Sequence, residues 1–129
     1  ARRRSDEELA TLVESDGRDR FLERWVAQPI FDGLDPTEAR RHRLSSPTEL
    51  ARQLRILGPG THQPMWDRLG ELTMPVAVMA GERDEKYTAI ARRIVSVVGP
   101  NAALHMVPGA GHALLQEAPA TVAEILSTL

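Results

Sequence analysis

The apolar positions of the chain follow one period before Met74-Pro75 and another after it. In residues 6–14, Leu9, Leu12 and Val13 recur at three- and four-residue spacing, the mark of a helix with one buried face. "GRDRFLERWVAQP" repeats the pattern with Phe21, Leu22, Trp25 and Val26 on one face, and Pro29 stops it. Two further helix starts are written as capping boxes with proline at the first helical position: Asp35-Pro36 with Glu38, and Ser46-Pro47 with Glu49. Gly58 closes the second of these, and "PGTHQPMWDRLGEL" reads as a loop holding a short helix.

After Pro75 the pattern changes. "PVAVMAG" is a short apolar, β-branched run that ends on glycine, as a buried strand does. "YTAIARRIVSVVG" is an amphipathic helix closed by Gly99. "AALHMVPGAG" is a second apolar strand with a glycine-rich exit, and "APATVAEILSTL" is a last amphipathic helix. Residues 75–129 therefore predict a strand–helix–strand–helix unit with a parallel pair of strands, an α/β arrangement. Two strands do not make a doubly covered sheet, so the rest of that core is expected from further sequence or from a partner chain.

The bulk numbers remove several classes. The 129 residues suffice for one small domain, and 42% hydrophobic with 26% charged content is ordinary for a globular protein. A net charge of −2 gives no electrostatic case for nucleic acid or an anionic membrane. No apolar run is long enough to span a bilayer. The absence of cysteine excludes disulfides and thiolate chemistry and fits a cytoplasmic setting.

Candidate chemistry lies in the two loops that follow the strands, "AGERDEKY" and "PGAGHALL". In a parallel pair both loops leave the carboxyl edge, where open α/β sheets bind ligands. Asp84 and His112 are therefore expected to be neighbours across 28 residues of sequence. An acid that orients a histidine, which in turn activates a nucleophile, is triad chemistry, and acid before histidine is the α/β-hydrolase order. The competing readings are a helix cap or turn for Asp84 and a structural role for His112. The pairing, one residue at each strand exit, favours the catalytic reading. His42 and His105 read as exposed or structural, and His62 lies in a loop. No His, Asp or Glu cluster has metal-ligand spacing, and "GAG" lacks the further glycine of a dinucleotide fingerprint.

These residues resemble the α/β-hydrolase superfamily. "P-V-x-V-M-A-G-E-x-D" followed by "V-P-G-A-G-H…E-x-P" looks like its acid and histidine loops. "FLERWVAQPIF", "RHRLSS…LARQLRILGPGTHQPMW" and "GERDEKY" together resemble the 2-succinyl-6-hydroxy-2,4-cyclohexadiene-1-carboxylate synthases of menaquinone biosynthesis. The resemblance covers essentially the whole chain, matched to the lid and C-terminal half of that family. It implies residues 1–72 as a helical lid segment and 73–129 as the C-terminal βαβα part of the core. It also implies Asp84 and His112 as triad acid and histidine, Trp25 as a lid residue lining the site, and Arg2 and Arg43 as ligands of substrate carboxylates. An arginine's planar fork suits carboxylates physically. Gln63 and Trp66 fall in the matching loop, with packing roles.

One departure is large. There is no Gly-x-Ser-x-Gly, and none of Ser5, Ser15, Ser45, Ser46, Ser96 and Ser127 sits in a glycine-flanked elbow. The chain opens directly in a helical pattern, "ARRRSDEELATLV". The expectation is a C-terminal portion whose nucleophile, oxyanion hole and first strands are supplied by the N-terminal half of the same enzyme. The implied activity is a lyase that eliminates pyruvate from a small-molecule carboxylate substrate, with no cofactor, and inactive in this chain alone. Two alternatives stay open: a hydrolase of ester or carbon–carbon bonds on the same fold, and a non-catalytic binding or assembly module. An incomplete sheet would also favour homo-oligomers.

Overall fold

The computed structural model describes residues 2–32, 37 and 45–128. Its contacts divide the chain into two compact units, Ala1–Gln28 with Asp35–Gln63 and Pro29–Leu34 with Pro64–Leu129. The Asp35-Pro36-Glu38 helix start, His42 and Arg43 lie outside the described residues.

The first unit is helix on helix. Helix α1, Arg2–Val26, contains the two apolar stripes read from the sequence, joined at Gly17, whose φ of 81° is closed to most side chains. The break resets the helical phase between the two halves. Ala10, Val13, Phe21 and Leu22 are then all buried against Leu50 and Ala51 of α2, Pro47–Leu57. Ser46 caps α2 by accepting a hydrogen bond from the Glu49 amide at 3.2 Å. The Glu49 carboxylate accepts from Arg52 and Gln53, so it braces the helix surface. Arg55 reaches from α2 to Glu7 and Glu14 of α1, at 2.9 and 2.6 Å. After α2, Gly60 donates its amide to the buried Asp6 carboxylate at 2.9 Å. A Cβ on Gly58 or Gly60 would press on that carboxylate, which accounts for both glycines.

The second unit is the strand–helix–strand–helix unit. Strands β1, Val76–Gly81, and β2, Ala102–Val107, pair in parallel, in register from Val76 with Ala102 to Gly81 with Val107. Helix α3, Glu85–Val98, makes the crossover and ends at Gly99, φ 82°. Its Arg93 guanidinium stacks over the Trp66 ring at 4.1 Å. A single turn, α4, Leu114–Glu117, precedes the last helix, α5, Pro119–Leu126. That turn does not show in the hydrophobic pattern because four residues cannot express a period. Ala80, Ala91, Val98, Val107, Ala110 and Val122 are buried in this unit. No helix among the described residues is long and apolar enough to cross a membrane.

Candidate active site

The site begins where β1 ends. Glu82, Arg83 and Asp84 turn tightly: the Asp84 amide donates to the Gly81 carbonyl at 3.0 Å. The same turn is stitched to the loop after β2. Glu82 donates its amide to the Val107 carbonyl and Arg83 to the Ala110 carbonyl, at 3.0 and 2.9 Å. Gly81 permits this close approach, because a Cβ there would overlap the carbonyls of Ala110 and Gly111. The two loops therefore form one braced platform at the carboxyl edge of the sheet.

On that platform Asp84 uses its two oxygens for two purposes. Oδ1 accepts the Tyr87 amide at 3.1 Å and caps α3. Oδ2 lies 2.7 Å from His112 Nδ1. An ionised carboxylate can only accept, so against it Nδ1 is the donor, and in the neutral imidazole Nε2 then keeps a lone pair. The cap reading and the orienting reading of Asp84 are thus compatible. The carboxylate is nearly buried, with 8% of its side chain exposed, while the imidazole keeps 29%. Two aromatic rings flank the imidazole: Tyr87, with centroids 4.4 Å apart, and Phe31, edge-on at 5.8 Å.

The loop that carries His112 is held by carboxylates. Gly109, at φ 65°, donates its amide to Glu82 at 3.0 Å. Gly111 and Ala113, the residues on either side of His112, both donate to Glu117, at 2.8 and 3.1 Å. Glu117 also pairs with Arg83 at 2.7 Å. The sequence signal for Glu117 is its place in "H…E-x-P", but a motif letter does not say which amides a carboxylate meets. Tyr87 and Phe31 likewise have no signature that ties them to an imidazole.

The remaining candidates are described within their own units. Arg2, in the first unit, places Nε 3.1 Å from Asp6. Trp25, in the same unit, stacks on Phe21 with centroids 5.6 Å apart. His62 approaches the Leu57 carbonyl, and His105 sits on β2 opposite Met79. Among the described residues no group of three or more His, Asp or Glu could hold a metal ion.

Comparison with known proteins agrees with this architecture. The solved structure of MenH from S. aureus superposes with a TM-score of 0.87 at 30% identity, covering 98% of this chain and 50% of that one. The 2-succinyl-6-hydroxy-2,4-cyclohexadiene-1-carboxylate synthase of Citrobacter koseri is 32% identical over 135 residues, covering 100% of this chain and 50% of the relative. The chain resembles these synthases over its whole length. Its fold is that of the C-terminal part of an α/β-hydrolase. A Bacillus subtilis (strain 168) relative, which carries the same name provisionally, is 31% identical over 129 residues, covering 95% of this chain and 47% of its own length. The chain thus spans about half the length of the curated relatives it matches. No protein-family model matches it.

Proposed function

We propose that this chain supplies the acid–histidine pair of a lyase that makes 2-succinyl-6-hydroxy-2,4-cyclohexadiene-1-carboxylate. The observation that carries this reading is the 2.7 Å contact between His112 Nδ1 and Asp84 Oδ2 at the carboxyl edge of a parallel pair. The full-length likeness to synthases of that name supports it. The chemistry is a proton abstraction followed by elimination. His112 Nε2 takes the proton of a serine hydroxyl, which lies outside these 129 residues, and the alkoxide removes a ring proton from the substrate. The C–H electrons become the new ring double bond, the ring C–O bond breaks, and pyruvate leaves as its enolate. Asp84 fixes the tautomer and stabilises the imidazolium. Arg2 and Arg43 are proposed to neutralise the substrate's carboxylates, and Trp25 to line the site.

The test is an assay of the protein that carries these residues together with a Gly-x-Ser-x-Gly segment. Pyruvate release from the enolpyruvyl substrate is compared with turnover of a p-nitrophenyl ester. The expected result is pyruvate release that falls by roughly 10⁴-fold or more in His112→Ala. Ester turnover without pyruvate release would replace this reading with a hydrolase.

A further inference from the structure

We infer that Glu117 is a positioning residue that holds His112 against Asp84; the inference rests on the catalytic reading of that pair. Its carboxylate grips the backbone on both sides of the imidazole. Oε2 accepts the Gly111 amide at 2.8 Å and Oε1 accepts the Ala113 amide at 3.1 Å. A residue whose two neighbouring amides are fixed to one rigid group cannot swing its Cα. The same carboxylate pairs with Arg83 at 2.7 Å, and Arg83 is bonded to the Asp84 peptide. Glu117 therefore couples the backbone that carries the base to the backbone that carries the acid. Only 12% of its side chain is exposed, so water competes weakly for these bonds.

Two details fit this role. Gly111 leaves room for the carboxylate, since a Cβ there would lie at a tight 3.0 and 3.2 Å from the Glu117 oxygens. The chemistry also requires a carboxylate rather than an amide. Two peptide N–H groups approach two different oxygens, and a glutamine has one acceptor; its NH₂ would face an N–H donor. Glu117→Gln is thus an isosteric change that removes one of the two loop tethers and the ion pair.

The readout is the low-field resonance of the His112 Nδ1 proton shared with Asp84, followed by NMR in ¹⁵N-labelled protein. Glu117→Gln is expected to broaden or abolish it, with the remaining amide spectrum native-like. Arg83→Gln, which breaks the link to the Asp84 turn but leaves both amide tethers in place, should weaken it less than Glu117→Gln does. In the pyruvate assay kcat should fall by up to about 10²-fold in Glu117→Gln, as expected when a catalytic group is misplaced by about an ångström, while KM changes far less. If Glu117→Gln does not fold, Gly111→Ala, which crowds the same carboxylate, takes its place with the same expected loss. A retained resonance, or a lost resonance with unchanged kcat, overturns the inference. Should His112→Ala leave pyruvate release intact, the functional reading fails instead, and the resonance alone then decides the tether.

Discussion

At the scale of single residues, Asp84 shows how one side chain satisfies two readings. Its Oδ1 caps a helix and its Oδ2 holds an imidazole. The two jobs separate by mutation. Asp84→Asn leaves an oxygen for the Tyr87 amide but presents N–H to a ring nitrogen that is already a donor. The ring is then driven to the other tautomer, and activity should fall by about 10⁴ with little loss of stability. Asp84→Ala loses the cap as well, so its thermal midpoint should fall further, by the equivalent of about 1 kcal/mol. Calorimetry beside the pyruvate assay distinguishes the pair. Asp84 and His112 were legible because each closes an apolar strand run, and topology alone brings such exits together. Glu117 was not legible in that way. Its role depends on which backbone amides it meets, and those are set by the fold of residues 109–113, not by any letter beside it.

At the scale of elements, the periodic patterns and their breaks read correctly, while the partner of a surface carboxylate did not. The stripes of α1 and α3 and the apolar runs of β1 and β2 were visible as periods. The break at Gly17 was legible as well, because the two stripes stop and restart on either side of a glycine, and the backbone there is non-helical. The cap of α2 was readable from Ser46 and Pro47, yet Glu49 turned toward Arg52 and Gln53, since surface guanidinium competes well for a carboxylate. Two predictions belong here. Gly81→Ala forces a methyl group into the carbonyls of the neighbouring loop, so it should cost about 1–3 kcal/mol or more and displace His112. Denaturant melts should show the loss, and a pyruvate assay the lower rate. The second concerns acid. The Arg55 hydrogen bond lowers the pKa of Glu14 below its ordinary 4.5. A depressed carboxylate stabilises the fold above its unfolded pKa, and that contribution fades as pH falls through the folded value. Stability followed by denaturant titration should therefore decline below about pH 4.5, and Arg55→Met should flatten that decline.

At the scale of the whole molecule, the two strands are the exception to their own sequence. Val76 to Met79 have the continuous apolar character of a strand covered on both faces, yet all four are only half-buried. Among the described residues each strand has one pairing edge unused. Unpaired edges on apolar strands recruit other strands. The 129-residue chain by itself should therefore show concentration-dependent association in sedimentation velocity. A segment that supplies neighbouring strands and the Gly-x-Ser-x-Gly elbow should convert it to a defined complex with a higher thermal midpoint. A monomer that melts cooperatively at every concentration would contradict this.

The Asp84–His112 contact and every bond that braces it fall between Gly81 and Glu117, inside one strand–helix–strand unit and the turn after it. The hydrogen bonds of the dyad are thus assembled by local chain closure, with the Phe31 ring the one flank drawn from earlier in the chain, and on the proposed reading the serine comes from another segment. Splitting the polypeptide between the two would make turnover conditional on their encounter. Pyruvate would then report molecular proximity, and the segment that bears the dyad would serve as one arm of a two-input sensor.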